Sequence, residues 1–220
     1  MSSPDGTSMM SPQLRWQLLG VLRFRDAFTH EIVRNSLQVT IPNLGLLGVA
    51  GSDATYRFVS SQEQPPAGTF PVHADVPDAE YIQWDPFWLT FASLPPILPL
   101  RDHFLVEAPL WPTRRLAPRA GETSLVIQIQ RSKKGDPVSD LRVKLIRAGA
   151  IPSLDTRTNL RGECFFRVPS LLPSVGDSPT SELIEVEIRS ANGILLTVPG
   201  TISTTLSNGI SNFQSLVIYP

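Results

Sequence analysis

The stretch SLVIQIQRSKKGDPVSDLRVKLI, residues 124–146, decides the fold class of this chain. Apolar and polar residues alternate at its two ends, in 124–130 and 141–146, which is the pattern of strands with one buried face. The segment between them, 132–137 (SKKGDP), combines glycine, proline and charged residues, as turns do. This succession of short strand, turn and short strand indicates β structure.

The same succession recurs along the rest of the chain, where no segment has the spacing of an amphipathic helix. Pro86 interrupts the aromatic segment 81–91, because proline cannot donate a hydrogen bond to a neighbouring strand. Asn192-Gly193 is typical of a tight hairpin turn. Many short strands with frequent turns predict an all-β sandwich or barrel. Strands are predicted at 16–24, 36–41, 56–59, 69–75, 81–91, 103–108, 163–168, 183–189, 194–198 and 213–219, with a loop at 43–54.

Length and composition predict two domains. The chain has 220 residues, enough for two domains of about 100 residues each. Its 21 prolines exceed the roughly 5% average and favour short strands and loops over helices. Residues 1–12 are small and polar, which predicts a disordered tail. Residues 111–122 (WPTRRLAPRAGE) have the composition of a proline- and arginine-rich linker. The predicted domains are therefore 13–110 and 123–220.

The two halves also share a weak internal similarity, which fits a tandem array. Each has an opening strand and a turn with a valine near its end, at 23–33 and 129–138. Each continues with an alternating strand, at 36–41 and 141–146, and a further strand, at 55–59 and 162–168.

The second half resembles a carboxypeptidase regulatory-like domain, a small transthyretin-like sandwich related in shape to immunoglobulin-like folds. The resemblance rests on GDPVSDLRVKLI (135–146) followed by TRTNLRGECFFRVP (156–169), although Asn159 stands where the family commonly has aspartate. FRDAFTHEIV (24–33) and ATYRFVSS (54–61) look like a divergent copy. The resemblance implies two tandem β-sandwich domains. It also suggests the setting of such paired domains, as accessory modules of bacterial proteins and of phage-tail-like contractile injection systems.

Charge and cysteine content limit the partners. The net charge is −1, and no basic block suggests nucleic acid. Residues 13–110 carry six arginines against ten acids, and residues 119–220 carry eleven basic residues against nine acids. This asymmetry favours head-to-tail self-association or docking on a charged ring.

No apolar run approaches the roughly 20 residues of a membrane span. Residues 1–12 lack a secretion signal, and the single Cys164 excludes an internal disulfide, so a cytoplasmic location is expected.

Few residues suggest chemistry. His30, His73 and His103 are widely separated, and Cys164 lies in a predicted strand without the surroundings of a nucleophile. The segment 73–80 (HADVPDAE) is acidic but lacks the spacing of a calcium loop. We therefore expect no catalytic residue, metal or cofactor and no enzymatic activity. The alternative is a metal-dependent enzyme on a transthyretin-like scaffold, which would need a metal site that these residues do not indicate.

Aromatic residues form the strongest candidate for a binding site. Three of the four tryptophans fall between residues 81 and 111. Tryptophan, tyrosine and arginine dominate protein interfaces because they bury a large area at little entropic cost. The alternative is that some of these aromatics are core and that Trp111 joins the two domains. The predicted protein-binding residues are Tyr81, Trp84, Phe87, Trp88, Trp111, Arg114 and Arg115.

These observations favour a structural or adaptor protein that binds the protein subunits of a larger assembly. Unpaired sheet edges could recruit another chain by strand addition. A second function remains open, a carbohydrate-binding module that stacks sugar rings on Trp84 and Trp88.

Overall fold

The computed structural model describes residues 16–61, 66–91, 105–117, 119, 122–131, 135–147, 153–168, 181–197, 201–207 and 209–218. Within these residues the structure holds sixteen strands and one 3-10 turn at Pro42–Leu44. The prediction of an all-β fold is confirmed. No helix in this part of the chain has the length and apolar character to cross a membrane. The predicted tail 1–12 and His103 lie outside the described residues.

We call strands β1 to β9 the first half and strands β10 to β16 the second half. The first half contains β1 (Gln17–Asp26), β2 (Gln38–Ile41), β3 (Leu46–Leu47), β4 (Val49–Ala50), β5 (Thr55–Ser60), β6 (Gly68–Asp75), β7 (Tyr81–Ile82), β8 (Phe87–Phe91) and β9 (Leu105–Pro112). The second half contains β10 (Thr123–Gln130), β11 (Arg142–Arg147), β12 (Leu154–Arg157), β13 (Glu163–Val168), β14 (Ser181–Arg189), β15 (Ile202–Ser207) and β16 (Ser211–Val217).

Each half is a sandwich of two sheets around its own apolar core. The sheets of the first half have the strand orders β4-β5-β1-β9-β7 and β3-β2-β6-β8. Those of the second half are β13-β10-β16 and β12-β11-β14-β15. Alternate side chains of each strand enter the core, so Phe24 and Phe58 meet Val39 and Leu89 in the first half. The second core is built in the same way by the remaining strands.

The two halves share a strand topology. In the first, β1 pairs antiparallel with β5 and parallel with β9. In the second, β10 pairs antiparallel with β13 and parallel with β16. The turns after the opening strands are closed by equivalent bonds: the Val33 amide donates to the Phe24 carbonyl (3.0 Å), and the Val138 amide to the Ile129 carbonyl (3.2 Å). The internal similarity of the sequence therefore corresponds to a repeated structure.

The TNLRG segment at 158–162 is a tight turn that ties β13 to its neighbours. The Thr158 hydroxyl donates to the Val138 carbonyl (2.8 Å) and accepts from the Leu141 amide (3.0 Å). The Asn159 side-chain oxygen accepts from two amides further along the turn, at 2.8 and 3.1 Å. Gly162 closes the turn with a φ of 68°, in the left-handed region that favours glycine. The residue types quoted for the family resemblance are thus those that this turn requires.

Ala54 occupies the corresponding position in the first half. The amide of Gly51 donates to the carbonyl of Thr55 across its turn (2.7 Å), and Ala54 has a φ of 59°. A left-handed conformation costs a residue with a Cβ atom about 1–2 kcal/mol. We therefore expect Ala54→Gly to raise the free energy of unfolding by about 1 kcal/mol in urea denaturation. Ala50→Gly, within β4, is the control and should lower it by about 0.5–1 kcal/mol. A loss of stability in both variants would contradict this prediction.

The strand predictions fail at four places. A returning strand is predicted at 194–198, but within 194–197, the part of this segment that the structure describes, only Leu195 makes a bridge, to Arg189. The predicted turn at Asn192-Gly193 does form, and the pairing stops because β15 occupies the same edge of β14 further along. Strands β12 and β15 have weak alternation and were not predicted. The loop predicted at 43–54 contains the 3-10 turn and the two-residue strands β3 and β4.

Candidate functional site

Asp26 lies at the centre of the contact between the two halves, which we call the junction. Its side chain is buried, with 1% of its surface exposed. One carboxylate oxygen accepts from the amides of Phe28 (2.9 Å) and Thr29 (3.0 Å). The other accepts from Arg167 Nη1 (2.8 Å) and from the Tyr81 hydroxyl (3.3 Å). A buried carboxylate is tolerated only when it is paired and hydrogen-bonded, and here both conditions are met.

Arg167 is the partner that β13 supplies to this junction. Its guanidinium is 4% exposed and lies between two acids, Asp26 and Glu122. Nε donates to Glu122 Oε1 at 2.8 Å. Burial by itself would lower the pKa of Arg167, but the hydrogen bond that it donates to Glu122 and the negative charge of Asp26 outweigh burial and raise that pKa above its ordinary value. Glu122, the last residue of the predicted linker, is thus held by its ion pair with Arg167. The first residues of that linker, Trp111 and Pro112, belong to β9.

Phe28 extends the core of the second half. It lies in the turn after β1, yet its ring stacks on Phe166 with centroids 5.6 Å apart. It is 4% exposed and belongs to the apolar cluster of the second half, against which Trp111 also packs. Apolar burial and a buried charge network thus act together to hold the halves in one arrangement.

Tyr81 makes the stability of the folded protein depend on pH in the alkaline range. Burial, together with the negative charge of Asp26, raises the pKa of Tyr81 to about 12. Because unfolded tyrosine titrates near pH 10, the folded state retains the proton that the unfolded state loses. This contribution to stability is complete below about pH 10 and disappears as the pH rises towards 12.

We therefore expect the urea midpoint of the protein to fall more steeply between about pH 10 and 12 than that of Tyr81→Phe. Absorbance of tyrosinate in the folded protein should show the raised pKa directly. Equal slopes for the two proteins would contradict the prediction, since other groups that titrate in this range are common to both.

The indoles of Trp84 and Trp111 reach from the first half to β12. Trp84 Nε1 donates to the Thr156 hydroxyl (3.3 Å), and Trp111 Nε1 donates to the Asp155 carbonyl (2.9 Å). Strand β12 is at the edge of its sheet, where a free carbonyl could accept another strand. Trp111 therefore already uses one of the carbonyls of this edge strand.

Beside these indoles lies an open cleft of about 510 Å³ between the two halves. Its size is typical of ligand sites. The first half contributes one wall, made by Trp84, Asp85 and Trp111, and strands β12, β11 and β14 form the floor. The lining residues are Trp84, Asp85, Trp111, Arg142, Lys144, Asp155, Thr156, Arg157, Glu187 and Arg189.

Strand register places three arginines side by side on this floor. Arg142 on β11 is the cross-strand neighbour of Arg157 on one side and of Arg189 on the other. Arg157 is paired with Asp85 (2.6 Å), and Arg189 with Glu187 (2.7 Å). None of the described carboxylates lies within 4.0 Å of Arg142, so the central charge of this Arg row lacks an ion pair there.

The next row of the floor carries both signs of charge. Lys144 faces Asp155 across β11 and β12 and faces Glu187 across β11 and β14. Burial, more than any neighbouring charge, raises the pKa of Asp155, although Lys144 and Arg142 act in the opposite direction. The cleft is therefore positive over one row and mixed over the other.

Of the seven predicted binding residues, the cleft brings together Trp84 and Trp111. Tyr81 is buried at the junction, and Phe87 packs against the first core. Trp88 is 58% exposed on β8, at the edge of another sheet. The two arginines are exposed, with Arg114 3.8 Å from Glu163 and Arg115 in the turn after β9. Their roles in binding stay predictions.

The residues considered for chemistry are dispersed. His30 and His73 are exposed, and Cys164 is buried, which raises the pKa of its thiol. In the acidic segment 73–80, the carboxylate of Glu80 accepts from the Asn35 side chain. Among the described residues, no three histidine, cysteine or acidic side chains are close enough to hold a metal.

Sequence reasoning missed Asp26, Phe28, Arg142 and Arg167. A signal for Asp26 existed, because an aspartate just ahead of a turn commonly accepts from the amides that follow it. The alternation of 163–168 also places Arg167 on the outer face of its strand. Nothing local, however, indicates that these two residues, 141 positions apart, form a pair.

Comparison with known proteins gives distant likenesses only. No protein-family profile matches the chain, and no curated protein matches it in sequence. Among solved structures, the TIE protein of Bacillus anthracis is 11% identical with a TM-score of 0.33, over 92% of this chain and 34% of that one. The chain thus spans about a third of that protein's length.

Pilins give similar values. A streptococcal ancillary pilin is 8% identical with a TM-score of 0.31, over 93% of this chain and 69% of that one. The minor pilin of Streptococcus agalactiae is 10% identical with a TM-score of 0.30, over 91% and 95%. At these values the likenesses assign neither a family nor a function, and the resemblance to carboxypeptidase regulatory-like domains stays a prediction.

Proposed function

We propose that this protein is a non-enzymatic structural or adaptor protein that binds other proteins within a larger assembly. The observation that carries the proposal is the junction. Asp26, Phe28, Glu122 and Arg167 join the two sandwiches through a buried charge network and a shared apolar core. Two sandwiches held in one arrangement present their outer surfaces to partners at a defined angle, which is the property that an adaptor needs.

The tryptophans support the same proposal. The indole N–H groups of Trp84 and Trp111 fix the first half against β12. They also cover an edge at which unspecific strand pairing would otherwise occur. Specific partners are therefore expected to dock on side-chain surfaces such as the cleft.

The test is a pull-down with the tagged protein from native lysate, over a range of salt, followed by mass spectrometry. We expect stoichiometric recovery of protein subunits of a repetitive assembly. Recovery of sheath, tube or baseplate subunits would identify a phage-tail-like contractile system, the setting suggested by the family resemblance. Recovery of the tagged protein alone would contradict the adaptor function.

A matched pair of variants tests the role of the junction. Trp111→Phe keeps an aromatic ring but loses the hydrogen bond to Asp155, and it should reduce partner recovery. Trp16→Phe changes a tryptophan that is 67% exposed and should leave recovery unchanged. Equal recovery with both variants would show that the fixed arrangement is not needed.

Carbohydrate binding is the second candidate, and the exposed ring of Trp88 favours it. An indole that is 58% exposed on an edge strand is accessible to a sugar ring. Trp84, its proposed companion, is engaged with Thr156 of the second half. A glycan array with the protein and with Trp88→Ala distinguishes the candidates, because only the carbohydrate-binding module gives a signal that this variant abolishes.

A further inference from the structure

The central arginine of the cleft has an arginine on each side and no ion pair of its own among the described residues. Arg142 is exposed between Arg157 and Arg189, its neighbours on adjacent strands. Like charges opposite one another destabilise a sheet. Asp85 and Glu187 neutralise the two outer arginines. An acid placed over Arg142 would supply the ion pair that it lacks among the described residues and could accept two parallel hydrogen bonds from its guanidinium.

The indoles make the adjoining wall apolar and rigid. Because Trp84 and Trp111 each donate a hydrogen bond to β12, their rings are held in place before any ligand arrives. Aromatic surfaces that are preorganised bind apolar groups at a small entropic cost. A ligand for the cleft therefore combines a carboxylate with an apolar group.

We propose that the cleft docks a segment of a partner polypeptide, which places an Asp or Glu carboxylate over Arg142 and an apolar side chain against Trp84 and Trp111. This inference rests on the proposed function and names the chemistry of the partner. We expect recognition by side chains, since the lining of the cleft offers the charged groups of the floor and two indoles, and Trp111 already donates to the carbonyl of Asp155 on the edge strand.

The charges of the floor favour a polypeptide over a polyanion. A nucleic acid or an acidic polysaccharide carries negative charge at regular intervals. Beside the Arg row such a ligand would meet Asp155 and Glu187, which flank Lys144. A polypeptide can place one carboxylate over Arg142 and beside Lys144 of the same strand, and neutral or basic groups over Asp155 and Glu187, so it matches both rows.

Lys144 provides a direct test, because a carbodiimide joins an amine to a carboxylate with no spacer. The complex recovered with the tagged protein is treated with the carbodiimide and examined by mass spectrometry. We expect a cross-link between Lys144 and an Asp or Glu of the partner chain. Lys144→Arg keeps the charge but removes the amine, so the complex recovered with this variant should lack the cross-link.

Charge reversal supplies the matched comparison. Arg142→Glu should reduce partner recovery at least about tenfold, the cost of breaking a charge-assisted contact. Arg131→Glu makes the same change at an exposed arginine outside the cleft and should leave recovery unchanged. Thermal unfolding of both variants verifies that they are folded.

The outcomes separate the two proposals. Equal recovery by Arg142→Glu and Arg131→Glu, or a complex without the Lys144 cross-link, overturns the cleft as the docking site and leaves the adaptor function standing. A bound glycan or nucleic acid in place of a protein also overturns it. If no partner is recovered at any salt concentration, the adaptor function fails and this inference fails with it.

Discussion

Replacing Gly162 by alanine is expected to lower the free energy of unfolding by about 3 kcal/mol. A Cβ atom at this position would lie 2.4 Å from the Ile129 carbonyl oxygen and 2.9 Å from the Val138 amide nitrogen. Both are backbone atoms, which cannot move aside as a flexible side chain does. The φ of 68° adds the cost of a left-handed conformation for a residue with a Cβ. Urea denaturation followed by tryptophan fluorescence measures the loss.

Gly193→Ala is the matched control. Gly193 also has a positive φ, 84°, but nothing lies within 4 Å of a Cβ built there. Its replacement by alanine keeps the cost of a positive φ but adds no clash of the Cβ atom with the backbone. It should lower the free energy of unfolding by about 1 kcal/mol. Similar losses at Gly162 and Gly193 would show that the backbone around 129 and 138 relaxes and that the close approach is unimportant.

Removing the Arg167 guanidinium is expected to cost about 3–5 kcal/mol, because it leaves Asp26 and Glu122 without their cation. Asp26 is 1% exposed and has no route to water that would compensate the loss. Arg167→Met keeps much of the side-chain volume and so isolates the effect of charge. Urea denaturation of this variant at neutral pH measures the loss.

Arg119→Met is the corresponding control at the surface of the same junction. Arg119 pairs with Glu31 at 2.7 Å, but its side chain is 67% exposed. Exposed ion pairs contribute about 0–1 kcal/mol, so this variant should be nearly as stable as the parent. If Arg167→Met lowered the free energy of unfolding as little as Arg119→Met, the stability of the junction would not depend on its buried charges.

The fold could be predicted from sequence wherever one face of a strand is buried. In β11 and β14 apolar and polar residues alternate, and both strands were predicted close to their observed bounds. Alternation fails in β12, whose residues Leu154 to Arg157 make a short edge strand with a small buried contribution. It also fails in β15, which is rich in serine and threonine on both faces.

Only part of the candidate site could be predicted from the sequence. Aromatic density drew attention to Trp84 and Trp111, which line the cleft, but it did not distinguish them from Tyr81, which is buried. Arg142 has the same appearance in the sequence as any exposed arginine on a strand. Its position between two other arginines depends on strand register, which pairs residues that are far apart in the chain.

The parallel pairing of first and last strands has a consequence for how the chain folds. Strand β9 must reach β1, and β16 must reach β10, before either sandwich can close. Contacts between residues so distant in sequence slow folding to milliseconds or longer, because the intervening chain must first be ordered. During synthesis the first sandwich can close while the second is still incomplete. The Asp26 carboxylate then remains hydrated until Arg167, 141 residues later, arrives to pair with it, so the junction forms only after the first sandwich.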